Sequence, residues 1–365
     1  MPSFNLTTNG VQYEGWKEIS VTRSMEAVSG GFDLRVSDLL DVSRPSYTIK
    51  EGDECAIYVE GQQVITGYID SRSVSYGKQS HELSVTGRDK AADLVDSSVN
   101  IGKWQFLNQD VLSICKELAA PFAVPVTLGE GVTLPKPLKK FAINPGESSF
   151  EAIDRACRMA ALLPVSDGMG GIVLGTGSNR VTSGTRLEEG RNILEASGKY
   201  SLEGRFYKYI CSGQHAGDDD INGTQASAVQ AQAIDAGVRQ SRVLMVRAEG
   251  IVTKEAALRR ANWEARVRLA RAGEVSVKVQ GWMQDSGEIW KINQLVPLYA
   301  PMLSINADML ISEVNFSLDD NGGSITNLSL RNPDAYLPEP LEEKKTKDGA
   351  ASTGAPYGDY VDEEL

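Results

Sequence analysis

Histidine is nearly missing from this chain: His81 and His215 are the only two in 365 residues. A histidine-rich zinc site or a histidine-based acid–base apparatus therefore has little to draw on, and no metal or cofactor is expected. Cysteine is scarce as well. Cys55, Cys115, Cys157 and Cys211 each stand alone in apolar surroundings with no C-x-x-C pair, which predicts buried, reduced thiols. No apolar run approaches the roughly 20 residues that a membrane helix needs. The opening Met1-Pro2-Ser3-Phe4-Asn5 has neither the basic nor the apolar segment of a secretory signal. The expectation is a soluble protein made in a cytoplasm, with no membrane insertion of its own. Basic charge is in deficit, 37 Lys+Arg against 49 Asp+Glu for a net −12. Nucleic-acid binding through clustered cations, sequence-specific or general, is thereby disfavoured.

What remains is ordinary globular material, 41% hydrophobic and 24% charged, with length enough for two to three domains. From Gly10 to about Asp96 short alternating segments recur. Phe32-Asp33-Leu34-Arg35-Val36 and Gln63-Val64-Ile65-Thr66-Gly67-Tyr68-Ile69 are examples, separated by Gly turns such as Glu51-Gly52-Asp53 and Glu60-Gly61. This spacing predicts an antiparallel barrel or sandwich. The texture then changes. Asp110 can cap a helix carrying Val111, Leu112, Cys115 and Leu118, which Pro121 stops. Ser148 with Glu151 forms a capping box for a helix whose face is Phe150, Ile153, Cys157 and Ala161. Residues 164–168 and 171–174 follow as a hairpin.

Strand patterns return over 187–211 and at 275–279, 288–292, 309–314 and 325–330. Between them, 213 to about 237 reads as a polar loop. Thr253 opens a helix through Ala272 that should bury Leu258, Ala261, Ala265 and Leu269 and end at Gly273. Beyond Pro338 the chain is acidic and nearly devoid of large apolar residues, which predicts disorder. The two strand-rich regions also overlay without a gap at an offset of 245: Ile69-Asp70 falls on Val314-Asn315, Gly77 on Gly322, Leu83-Ser84-Val85 on Leu328-Ser329-Leu330, and Cys55 and Ile57 on Ala300 and Met302. The expected class is β-rich α+β, with two related antiparallel β-barrels and additional small α/β and helical segments. Its units are a first barrel (1–95), a small α/β domain (96–185), a second barrel (186–212 and 274–337), an inserted loop and helix (213–273) and a disordered acidic tail (338–365).

Candidate chemistry is thin. No G-x-S-x-G nucleophile elbow occurs: Gly175-Thr176-Gly177-Ser178 ends in Asn179-Arg180 and reads as a polar turn. Gly168-Met169-Gly170-Gly171 lacks the strand-then-helix context of a dinucleotide turn and reads as a hairpin turn. Asp218-Asp219-Asp220 lacks the calcium-loop pattern and reads as a solvated loop. Arg259, Arg260, Arg266, Arg268 and Arg271 on the long helix read as a solvated or subunit-facing side, against a phosphate-binding face as the sharper alternative. No residue is assigned to catalysis, cofactor or metal binding.

The order of several segments nevertheless resembles a family. Tyr13-Glu14-Gly15-Trp16 leads into Ile19-Ser20-Val21-Thr22-Arg23-Ser24; Val64-Ile65-Thr66-Gly67-Tyr68-Ile69-Asp70, Thr86-Gly87-Arg88-Asp89, Gly146-Glu147-Ser148-Ser149-Phe150-Glu151, Val279-Gln280-Gly281-Trp282, Ile289-Trp290-Lys291-Ile292-Asn293 and Leu310-Ile311-Ser312-Glu313-Val314 follow. This series resembles the baseplate hub proteins of contractile-tailed phages, the Mu-like tail protein P group, over nearly all of the chain up to Pro338. The resemblance implies a structural protein of the virion tail, assembled in the bacterial host cytoplasm. It would form a homotrimer that joins the tail tube protein (or a tube-terminal adaptor) to the central spike, contacts other baseplate proteins and lets DNA pass. The alternatives are a cell-wall hydrolase, or a carbohydrate-binding module using exposed Trp104, Trp282 or Trp290.

Overall fold

A computed structural model describes residues 3–37, 49–78, 81–175, 181–214, 229–251, 253–319 and 322–340. The first seven strands are β1 (Phe4–Thr8), β2 (Val11–Tyr13), β3 (Glu18–Ser24), β4 (Gly31–Ser37), β5 (Glu54–Val59), β6 (Gln62–Tyr76) and β7 (His81–Asp89). They pair antiparallel in the order β3-β4-β7-β6-β5-β1-β2. Period-two alternation decides which face turns inward: Ile19 and Val21 of β3 and Phe32, Leu34 and Val36 of β4 are buried between half-exposed polar neighbours. Asn9-Gly10 and Glu60-Gly61 both adopt positive φ, the geometry that lets two-residue turns follow the strand twist.

A small α/β unit follows, made of α1 (Ala92–Asp96), β8 (Gln105–Gln109), α2 (Val111–Ala119), β9 (Val126–Leu128), β10 (Leu138–Ala142), α3 (Ser149–Met159), β11 (Leu163–Ser166) and β12 (Ile172–Gly175). Both expected caps are in place. Asp110 accepts from the Ser113 N–H at 2.9 Å, and Ser148 with Glu151 completes the capping box. Ala152, Ile153, Ala156 and Cys157 bury against Ile114, Cys115 and Leu118 of α2. Phe150 is only partly buried. All four cysteines are free and buried, and Cys115 Sγ lies 3.8 Å from Cys157 Sγ.

The chain then returns to the large sheet with β13 (Leu187–Glu188) and β14 (Glu195–Tyr200). It leaves for β15 (Lys208–Gln214), β16 (Val229–Ile234), β17 (Val243–Ile251) and α4 (Lys254–Arg271), then comes back with β18 (Gly273–Gln280), β19 (Leu295–Ala300), β20 (Ile305–Asp319) and β21 (Gly323–Arg331). Several expectations are corrected here. Strand β15 does not join the second barrel: it pairs with β16 and β17 in a separate three-stranded sheet covered by α4. Residues 229–234, expected within a loop, form a strand because Ala231 and Ala233 alternate inward beneath the helix. Residues 288–292 make only an isolated Met283–Ile289 bridge, with Ile289 and Trp290 both buried in the core. Gly273 is not a left-handed cap; it starts β18 directly, with the Tyr200 ring 3.4 Å from where its Cβ would stand. Asp218-Asp219-Asp220, Thr176–Ser178, His215 and the tail from 341 lie outside the described residues.

The repeat holds, in another register. In chain order, β3, β4, β5, β6 and β7 correspond to β14, β18, β19, β20 and β21, and both sets stack in one sheet order: 3-4-7-6-5 against 14-18-21-20-19. Strands β6 and β20 are both 15 residues long, and each carries one residue bulged against the following strand, Asp70 against β7 and Ser312 against β21 (312 − 70 = 242); β6 has a further bulge, Val64, against β5. Ile69-Asp70 and Val314-Asn315 thus sit on equivalent strands, three residues out of register, and Met302 has no counterpart in β5. The bulge explains the slip. Its extra residue switches which parity faces inward, so an odd offset matches inward positions before one bulge to inward positions after the other.

Candidate assembly surfaces

The two related halves are joined edge to edge. They fuse into one sheet of 13 strands because β20 pairs antiparallel with β3, from Glu313 opposite Ser24 to Leu318 opposite Ile19. Phe316 and Val21 meet in a core that runs through both halves. On the other face the Asn315 amide donates to Ser20 Oγ at 2.9 Å and Thr22 Oγ1 at 2.8 Å. Met25 extends the seam, its N–H donating to the carbonyl of the bulged Ser312 at 2.8 Å.

A buried charge cluster locks the α/β unit onto this seam. Arg23 is buried, and its Nε has no partner. Asp89 accepts from the Gly30 N–H (2.8 Å), the Ser166 hydroxyl (3.1 Å) and the Ala91 N–H (3.0 Å). Burial pushes the Asp89 carboxyl up against those hydrogen bonds, and burial lowers Arg23 against the charges of Asp89 and Asp167. The glycines of 168–171 belong here. Gly168 has φ +75°, and a Cβ on it would lie 2.2 Å from the Arg23 guanidinium carbon. Asp167 ties the turn by accepting from the Met169 and Gly171 N–H groups. The segment is a hairpin turn shaped around an arginine.

Helix α4 buries Ala256, Ala257, Ala261, Glu264, Val267 and Ala270. Leu258 and Leu269, expected inward, are 44% and 51% exposed. The correction has a physical cause: the helix packs on its sheet through small side chains, mostly alanines, and carries one buried charge on the inward side. Glu264 is buried and receives Arg260 at 3.0 Å and Arg268 at 2.7 Å. Arg266 bonds Asp334 at 2.6 Å, Arg271 donates to the Ala335 carbonyl and Arg260 also pairs with Glu339. Four of the five arginines thus clasp neighbouring chain, and Arg259 is exposed. Near Leu269, Tyr200, Leu202, Arg266 and Ile305 line a groove of about 590 Å³.

Among the described residues no group of three His, Cys, Asp or Glu side chains is placed to hold a metal ion, and no helix is long and apolar enough to cross a membrane. Trp282 and Trp290 are core residues, while Trp104 is 63% exposed. Neither core tryptophan is available to a sugar platform.

Comparison with known proteins agrees with this architecture. Residues 3–89 match the family described as Mu phage baseplate assembly protein GpP-like, N-terminal. Residues 91–176 match the second domain of the gp44-like baseplate hub protein, and 253–339 match the fourth domain of GpP. Over 356 residues the chain is 30% identical to baseplate hub protein gp44 of Escherichia phage Mu, covering 96% of this chain and 93% of that one. The chain belongs to the Mu-like baseplate hub family. It is a structural component of a phage tail baseplate, and so of a virion. Among solved structures, the 43 kDa tail protein of prophage MuSo2 from Shewanella oneidensis is 31% identical with TM-score 0.80, over 92% of this chain and 99% of that one. A tail protein from Neisseria meningitidis, 22% identical with TM-score 0.78 over 93% and 98%, shares the fold. So does an E. coli type VI secretion component described as similar to the T4 tail proteins gp27 and gp5, 10% identical with TM-score 0.57 over 93% and 79%.

The arrangement offers this hub chain sheet edges. Strand β14 ends the sheet, and from Asp70 to Tyr76 strand β6 pairs only with β7 among the described residues. Sequence reasoning named no interface residue. The signal that could have found these edges was the repeat itself, once the bulges set its register.

Proposed function

We propose that three copies of this chain close into a hub ring between the tail tube and the central spike, and that DNA leaves through it. One observation carries the reading: the same five-strand unit, in the same sheet order, occurs twice in one chain. Three chains then present six such units, so a threefold object can match a sixfold tube on one side and a threefold spike on the other. The net charge of −12 suits a conduit that repels phosphate. In this reading the protein is not an enzyme, its partners are spike, tube and other baseplate proteins, and the two repeated units build the ring while the smaller cores decorate it. Mass in solution, alone and with the neighbouring spike protein, tests this. A trimer in at least one condition is expected; a monomer or dimer in both overturns the ring.

A further inference from the structure

Within the ring reading, on which this inference rests, we propose how neighbouring chains join: residues 71–76 of β6 pair antiparallel with 196–201, along β14, of a second copy, in the register of the β20–β3 seam inside each chain. The internal repeat supplies the register. Glu313 follows the bulge of β20 as Ser71 follows that of β6, and they face Ser329 of β21 and Thr86 of β7. Across the sheet, Thr86 faces Asp33 and Asp33 faces Ser20; Ser329 faces Ser276 and Ser276 faces Ser197. Ser20 therefore corresponds to Ser197. Carrying Glu313–Ser24 through Leu318–Ile19 onto these equivalents puts Ser71 opposite Ser201, Arg72 opposite Tyr200, Ser73 opposite Lys199, Val74 opposite Gly198, Ser75 opposite Ser197 and Tyr76 opposite Ala196.

Both strands look like the missing halves of that seam. Phe316, fully buried beside Val21 in β20–β3, has Val74 as its counterpart, and Val74 is 50% exposed. Tyr76, at the position of Leu318, is 82% exposed. Met25 is buried, whereas its counterpart Leu202 is exposed at the rim of the groove beside β14. Each of these side chains lacks the cover that its counterpart receives inside the chain. No two like charges face directly in the pairing, and an open edge carrying valine and tyrosine is what a lone chain would otherwise leave available for stray association. The occupant is a second copy of this chain, because the second copy's β14 has the backbone direction and register that β3 already offers to β20.

The test is a disulfide across the junction. Directly opposed strand residues stand within disulfide reach. Ser75 and Ser197 are exposed in the single chain and correspond to Ser317 and Ser20, which face away from the core. The four native cysteines are buried, and burial pushes Cys55 up to about 12, so they stay silent. Full-length S75C/S197C is oxidised in its trimeric fraction, or in assembled tails if the free chain is monomeric. A covalent trimer on a non-reducing gel is expected, with neither single variant nor the out-of-register S71C/S197C giving one. V74D should keep the single-chain urea midpoint and lose trimer at least tenfold. A trimer that S75C/S197C fails to cross-link, or V74D trimerising like wild type, overturns this pairing and leaves the ring standing. Absence of any trimer, free or in tails, overturns both.

Discussion

Asn315 on β20 donates one amide to two hydroxyls of β3, Ser20 at 2.9 Å and Thr22 at 2.8 Å, across 295 and 293 residues of sequence. A slip of one residue would turn Asn315 into the core and Phe316 out to solvent. The polar pair and the apolar pair therefore specify one register between the halves. Asn315→Ala should cost about 1–2 kcal/mol, read as a lower urea midpoint. Combined with Ser20→Ala and Thr22→Ala, its effect should be less than additive, as expected for groups in one network.

Glu264 holds α4 more firmly than the exposed leucines do. It is buried between Arg260 and Arg268, and Glu264→Ala would leave two guanidinium groups without their shared carboxylate. A loss of about 3 kcal/mol is expected by analogy with broken buried pairs. Leu269→Asp should stay within about 0.5 kcal/mol, as exposed substitutions do. Thermal unfolding of both variants checks the ordering, and a larger loss in L269D would contradict the assigned face.

Glu313 should make stability pH-dependent. Burial raises its carboxyl first, then the charges of Glu26 and Glu274, against a hydrogen bond with Ser24 and the charge of Arg331. A carboxyl raised in the folded state holds its proton more tightly folded than unfolded. The folded state therefore gains as pH falls, and that gain is lost as pH rises from the ordinary glutamate value of about 4.3 through the raised one. Over that window the urea midpoint of wild type should fall relative to that of Glu313→Gln. Parallel curves would show that the carboxyl is not under this strain.

Two glycines permit close strand approach in the first half. A Cβ on Gly87 would lie 2.2 Å from the Tyr68 carbonyl oxygen and 2.5 Å from the Phe32 ring. Gly87→Ala should cost about 3 kcal/mol, at the upper end of overpacking effects, and Gly67→Ala at least as much, since its Cβ would overlap the Arg88 carbonyl. Gly175→Ala, whose nearest neighbour is 3.9 Å away at ordinary φ, should be neutral. Soluble yield and unfolding midpoints separate the three.

Local rules in the sequence determined much of this protein. Alternation marked the strands of the first half, Asp110 and Ser148–Glu151 marked two helix starts, and isolated apolar cysteines marked buried thiols, because each depends on neighbours within a few residues. The order of segments along the chain carried the family. Tertiary structure alone decided three things. It set the repeat's register, because a bulge shifts inward parity by one residue and leaves no mark in the alternation on either side. It set the buried face of α4, because small alanines let that side of the helix lie against the sheet while the larger Leu258 and Leu269 stay outside. And it joined β20 to β3, a contact between residues nearly 300 positions apart in which no local propensity takes part.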